Sequence, residues 1–211
     1  MSLIGPWNIL AGASNPTGYT IDQSLRFDDG DSTSLDWTPS GAGSLTTWTY
    51  STWIKRGNIV SAGASDMTFF SAGGGSAIDN LQIQDTFDTL NFGIYNSGNV
   101  GRKRTSAVQR DPGSWYHFVL VWDTTNGSSS DRMRIYINGE RVTAFEVQSE
   151  DPAEDAVTVI NSAVQHSIGR QGDGSEYWDG YMAEVYFIDG QALTAASFGE
   201  TNEDTNQWQA I

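Results

Sequence analysis

Trp115-Tyr116-His117-Phe118-Val119-Leu120-Val121-Trp122 is apolar or aromatic at nearly every position. A strand with one wet face alternates polar and apolar residues, whereas a strand covered on both faces reads as an unbroken apolar run. This segment therefore reads as a central strand. Beyond it lies the polar loop 123–131, then Arg132-Met133-Arg134-Ile135-Tyr136-Ile137, which places Met133, Ile135 and Ile137 on one face and Arg132, Arg134 and Tyr136 on the other. The following Asn138-Gly139 is the dipeptide that tolerates positive φ at both centres of a type I′ turn, so 140–145 is expected to return antiparallel.

Period-two patterning continues outward, predicting strands near 23–28, 47–56, 67–71, 80–86, 90–95, 104–108, 157–160, 166–169 and 180–189. Glycine, proline and asparagine clusters punctuate them, as at Gly73-Gly74-Gly75 and Asp111-Pro112-Gly113. Only 193–200 suggests a short helical turn, with Thr194 as its cap. Many short strands without intervening helices specify an all-β fold, an antiparallel two-sheet β-sandwich or jelly roll. The chain divides into an N-terminal extension (1–18), one sandwich domain (19–200) and a C-terminal tail or junction (201–211).

Composition narrows the class. The 211 residues include eight Trp, eight Tyr and nine Phe, enough for a substantial core, which excludes disorder and coiled coil as the main state. Eleven Lys and Arg against 26 Asp and Glu give a net charge of −15, which repels phosphate backbones and anionic lipid. Nucleic acid and membrane are not expected partners. No apolar run reaches the roughly 18 residues of a membrane span, and Met1-Ser2-Leu3-Ile4-Gly5-Pro6 lacks the basic-then-apolar order of a signal peptide. With no cysteine, disulfides, thiolate zinc sites and thiol catalysis are excluded.

Four segments resemble the laminin-G-like members of the concanavalin-A-like lectin and pentraxin superfamily. They are Leu25-Arg26-Phe27-Asp28-Asp29-Gly30, Thr49-Tyr50-Ser51-Thr52-Trp53-Ile54-Lys55, the pair Trp115-Tyr116-His117-Phe118-Val119 and Ile135-Tyr136-Ile137-Asn138-Gly139, and Ile168-Gly169-Arg170 followed by 178–187 and Gln191-Ala192-Leu193-Thr194. The resemblance spans 24–199 and implies a concanavalin-A-like jelly roll. The stretch 183–194 resembles versions found in bacteriophage virion and tail-fibre proteins, which implies a virion location, on a tail or capsid surface, with an extracellular setting as the alternative.

Candidate site residues fall in loops. Asp28, Asp29 and Asp31 crowd three carboxylates after a strand, the oxygen chemistry that hard Ca²⁺ takes, although the same residues suit a solvated Asx turn and lack the pattern of an EF-hand. Ca²⁺ is the one cofactor they suggest. Asp173, Glu176 and Asp179 surround Tyr177 and Trp178 in a second acidic loop. There an exposed aromatic face could stack on a sugar while the carboxylates accept hydroxyl protons; the alternative is that Trp178 caps the core beside Gly180. Tyr95, Asn96 and Asn99 make a similar patch. Arg102-Lys103-Arg104 with Arg110 suits an edge strand guarded by charge, or contact with an anionic partner, and no interleaved aromatics support base stacking.

His117 and His166, the two histidines, read as hydrogen-bonded structural residues, and no Gly-x-Ser-x-Gly elbow accompanies them. Glycoside hydrolysis needs two facing carboxylates; no strand carries a Glu-x-Asp-x-x-Glu signature, and Glu184 stands alone in its strand. The expectation is a non-enzymatic module that recognises host-surface glycan through rim loops. Its alternatives are an assembly domain packing on neighbouring virion subunits or in a homo-oligomer, a bacterial adhesion module and a glycoside hydrolase.

Overall fold

The computed structural model describes residues 19, 21–59, 66–84, 88–96, 98, 100–148 and 151–211. In chain order the strands are β1 (Leu25–Phe27), β2 (Leu35–Trp37), β3 (Thr47–Arg56), β4 (Met67–Gly74), β5 (Ala77–Gln84), β6 (Thr89–Ile94), β7 (Gly101–Val108) and β8 (Tyr116–Asp123). They continue as β9 (Met133–Ile137), β10 (Glu140–Arg141), β11 (Phe145–Gln148), β12 (His166–Ile168), β13 (Gly180–Asp189), β14 (Gly199–Thr201) and β15 (Trp208–Ala210). A six-stranded antiparallel sheet runs β1-β13-β3-β8-β9-β10 and faces a seven-stranded one, β11-β7-β6-β5-β4-β12-β2. This is the all-β sandwich that alternation and punctuation specify. Among the described residues no helix is long and apolar enough to cross a membrane.

The interior is aromatic. Trp48, Tyr50 and Ile54 of β3 and Phe118, Leu120 and Trp122 of β8 meet Phe69, Phe70, Leu81, Ile83, Leu90 and Phe92 of the opposite sheet. Tyr50 stacks on Phe70 with centroids 4.6 Å apart, and Trp48 stacks on Trp122 at 6.5 Å. Strand β8 lies between β3 and β9, as its apolar run requires. Its other face, bearing Val119 and Val121, is covered by Ala195, Phe198 and Trp208 from the C-terminal end of the chain. The turn after β9 has φ of 49° at Asn138 and 88° at Gly139, the type I′ signature.

Several elements depart from the sequence reading. Residues 157–160 form no strand, because the N–H groups of Val159 and Ile160 go to the buried Asp79 carboxylate, at 2.5 and 3.0 Å, instead of to a ladder. The returning segment 140–145 splits: β10 stays beside β9, while β11 crosses to pair with β7 in the other sheet. Strand β7 is consequently not an edge, and its basic residues are engaged, Lys103 with Asp151 at 3.2 Å and Arg104 with Glu146 at 3.4 Å. The helical turn shrinks to a 3₁₀ turn, Ala195–Ser197, without a side-chain cap from Thr194. Strand β2 went unread, and residues 85 and 86 of the expected strand 80–86 lie outside the described residues. Residues 201–211, read as a tail or junction, contribute to the β14–β15 hairpin packed on the six-stranded sheet.

Candidate functional site

Strands β5 and β6 turn Leu81, Ile83, Leu90 and Phe92 inward, so Asn80, Gln82, Asn91 and Gly93 share the opposite face of the seven-stranded sheet. Register aligns these positions into two polar rows. One runs Thr68, Gln82, Asn91, Arg104 across β4, β5, β6 and β7; the other runs Asp36, Ser167, Ser71, Asn80, Gly93, Arg102 from β2 to β7. Four strands at the usual spacing span about 14 Å. The ring of Tyr95 lies over Gly93, where a Cβ would sit 2.5 Å from the tyrosine Cε2, so only glycine admits it.

The rim loop reaches this face. Gln171 Oε1 accepts from Asn80 Nδ2 at 2.5 Å, and Glu176 binds Thr68 twice, its backbone oxygen accepting from Thr68 N at 2.9 Å and its carboxylate from Thr68 Oγ1 at 3.1 Å. Gln82 Nε2 donates to Asp66, and Arg102 Nε donates to Asn91 Oδ1 at 2.7 Å. Burial pushes the Glu176 carboxyl up to about 7, helped by the neighbouring Asp66 and Asp173 charges and opposed by the Thr68 hydroxyl. The Tyr95 hydroxyl is raised by burial, with Arg102 pulling it down and Asp66 pushing it up. Asn80 Oδ1 and Gln82 Oε1 are buried and accept no hydrogen bond among the described residues.

The five residues of the predicted sugar loop are not brought to one place. Glu176 turns toward the polar rows, whereas Asp173 is exposed and closes an Asx turn by accepting from Ser175 N at 3.1 Å, near enough for its charge to be felt by Glu176. Tyr177 is half-buried. Trp178 is fully buried, edge-on to Phe69 at 6.1 Å, so it has no free face for a sugar and serves the core instead. Asp179 is buried beneath Arg26, its partner at 2.8 Å. The predicted metal set is likewise not assembled. Asp28 accepts from Gly30 N at 3.0 Å in an Asx turn and pairs with Arg26, while Asp29 and Asp31 are exposed. Among the described residues no three His, Asp or Glu converge to hold a metal.

Both histidines are tied down. His117 Nδ1 accepts from Trp208 Nε1 at 2.9 Å, so its one proton sits on Nε2 and points to Ser51 Oγ, also 2.9 Å away. A ring that donates to the serine cannot take its proton, and burial lowers the His117 pKa to about 4. His166 accepts from Asn161 N at 2.9 Å and stacks on Trp37.

What the sequence missed is the sheet face itself. Its only trace is amide side chains at alternate positions of β5 and β6, and their alignment depends on a register that no single segment reveals.

Residues 28–197 match the laminin G type 3 family, described as the concanavalin A-like lectin/glucanases superfamily, and the chain belongs to that family. Among curated proteins no sequence matches this one. Solved structures share the fold. One is a heptameric SAP-like pentraxin from Limulus polyphemus, 19% identical with a TM-score of 0.53, over 78% of this chain and 72% of its own. Another is the enzymatically active domain of tailspike protein 2 from bacteriophage CBA120, 17% identical with a TM-score of 0.53, over 80% of this chain and 25% of its own. A third is the CBM40 of a Ruminococcus gnavus sialidase bound to α2,6 sialyllactose, 12% identical with a TM-score of 0.51, over 84% and 97%. The chain thus spans about a quarter of the tailspike's length.

Proposed function

We propose that the protein is a non-catalytic carbohydrate-binding module whose site is the polar face of the seven-stranded sheet, bordered by Glu176 of the rim loop. The observation that carries this reading is the pair of buried, unpartnered amide oxygens, Asn80 Oδ1 and Gln82 Oε1, set in cross-strand rows beside the Tyr95 ring. Burying an acceptor without a donor costs about 1–3 kcal/mol, a cost that a ligand bearing O–H groups can relieve. Amides, a guanidinium and a tyrosine ring are also the groups that meet hydroxyls and the apolar face of a sugar. The host-surface setting, with the module carried on a phage tail or capsid, rests on the likeness of 183–194 to virion proteins and stands as part of the same proposal. Packing on neighbouring virion subunits is the alternative role for this face.

Glycan-array binding followed by calorimetry on the best hit tests the reading. Asn80→Ala with Gln82→Ala is expected to weaken binding by at least about tenfold, equivalent to about 1.4 kcal/mol, with circular dichroism unchanged. Unchanged affinity in that variant rejects the face as the site. Hydrolysis of the bound glycan by the wild-type chain, abolished by Glu176→Gln, would reject the non-catalytic half. Detection of the chain in purified phage particles by mass spectrometry checks the setting.

A further inference from the structure

The outer face of the six-stranded sheet carries a separate cavity of about 490 Å³, within the size range of small-ligand sites. Its walls include Trp53 of β3, Trp208 of β15, Trp115 and Tyr19, with Gln23 and Asp22 among the polar residues. The residues that close it, 19, 21–24 and 208–210, lie outside the family-matched region 28–197, so the cavity is an addition made by the two flanks of the fold. The rings are held in place. Trp53 stacks on His117 with centroids 4.8 Å apart, Trp208 donates its indole N–H to the same imidazole at 2.9 Å, and Trp115 leans on Tyr181 at 6.5 Å.

We infer that this cleft binds a neutral saccharide, a second site on the face opposite the polar rows. Three indoles supply apolar faces of the kind that pack on pyranose C–H groups. Free polar groups stand beside them: the indole N–H of Trp53 and Trp115 and the side chains of Gln23 and Ser24 make no hydrogen bond among the described residues. They offer donors and acceptors together, which is what hydroxyl groups require. Asp22 is the one carboxylate among the described residues of the lining, and a quaternary ammonium group, which has no lone pair to accept with, would leave the amide and indole donors unanswered. The adjoining cavity against Ser51, His117 and Glu184, about 220 Å³, is below the usual size of a ligand pocket.

The inference is independent of the polar-face reading, and the test separates them. The full chain is titrated with methyl β-galactopyranoside, methyl α-mannopyranoside and N-acetylglucosamine, and separately with choline, following indole fluorescence and the indole N–H resonances. At least one saccharide is expected to shift the Trp115 and Trp53 resonances saturably. The shift persists in the Asn80→Ala, Gln82→Ala variant and weakens about tenfold in Trp115→Ala, whose parent ring is 36% exposed and so removable without opening the core. Gln23→Ala, which leaves every indole in place, is expected to weaken it as well. Silence toward all three saccharides overturns the inference, as does a response to choline alone or a saccharide response that survives Trp115→Ala and vanishes in the polar-face variant.

Discussion

The His117 imidazole joins Ser51 to Trp208, whose indole N–H meets it edge to edge, and it stacks on Trp53. Burial holds its pKa at about 4 against 6.5 for the free side chain. The unfolded chain therefore takes up the proton first as pH falls from about 6.5, and His117 withdraws stability progressively until about pH 4. Glu176, pushed up to about 7 from 4.5, has the opposite sign: the folded state binds its proton first, so the stability it favours at low pH is lost as pH rises through 7. A melting curve superposes the two, so a local probe is needed. The His117 Cε1–H resonance is expected to titrate with a midpoint near 4, and Trp208→Phe, which deletes the indole donor, to move the midpoint upward. A wild-type midpoint near 6.5 would mean that the ring is solvated. The structural role of His117 was legible in the apolar run around it, but its partners were not, lying 66 and 91 residues away in sequence. Gly139 is a second point where one residue decides a contact, with φ of 88° and a Cβ that would fall 2.4 Å from the Trp208 ring. Gly139→Ala is expected to cost more than about 1 kcal/mol, read as a shift of the urea midpoint at constant slope.

Among the elements, period-two patterning located the long strands because burial on one face is written locally, one residue at a time. It failed where a remote side chain takes over the backbone. The run 157–160 is apolar enough for a strand, yet Asp79, in β5, captures its N–H groups and burial raises that carboxyl to about 6. It failed again where one run serves two sheets, as when β10 ends and β11 begins across the sandwich. The polar rows fail for the same reason: alternation gives each strand an outer face, but only register sets Gln82 beside Asn91 and Asn91 beside Arg104. Strand ends are also locked by charge that the sequence does not announce. At the end of β3, Arg56 is buried with its guanidinium 2.7 Å from Asp88 and 2.7 Å from the Gln109 carbonyl, while Arg110 meets the other Asp88 oxygen. Asp88→Ala leaves Arg56 charged and unpaired in the interior and is expected to destabilise the fold by about 3–5 kcal/mol in urea denaturation. A loss below about 1 kcal/mol would show that water reaches the guanidinium.

For the whole molecule, the two sheets enclose one large core, and a smaller apolar layer lies outside it under the C-terminal hairpin. That layer consists of Val119, Val121, Tyr136 and Ala195 with Trp208, and of Trp53, Ala183 and Ala210. It explains why β8 is apolar on both faces: one face looks into the sandwich, and the other waits for Ala195, Phe198 and Trp208 from the far C-terminal part of the chain. A chain shortened to end at residue 198 therefore keeps the main core, none of whose buried members comes from the hairpin. It loses the Trp208 part of the cover over Val119, Val121 and His117, while Ala195 and Phe198 stay in place, and it loses one wall of the aromatic cleft. Full burial of a side chain the size of Leu or Phe is worth about 1.5–3 kcal/mol, so the loss of Trp208 and Ala210 together is expected to lower Tm by roughly 5–10 °C. The shortened chain should bind ANS and associate on light scattering, as a sheet with a newly exposed apolar face does. Glycan binding at the polar rows should persist, since they lie on the other sheet. Complete unfolding on removal of the hairpin would show that the outer layer and the sandwich form a single cooperative unit, and loss of polar-face binding in a folded remnant would show that the two faces are coupled.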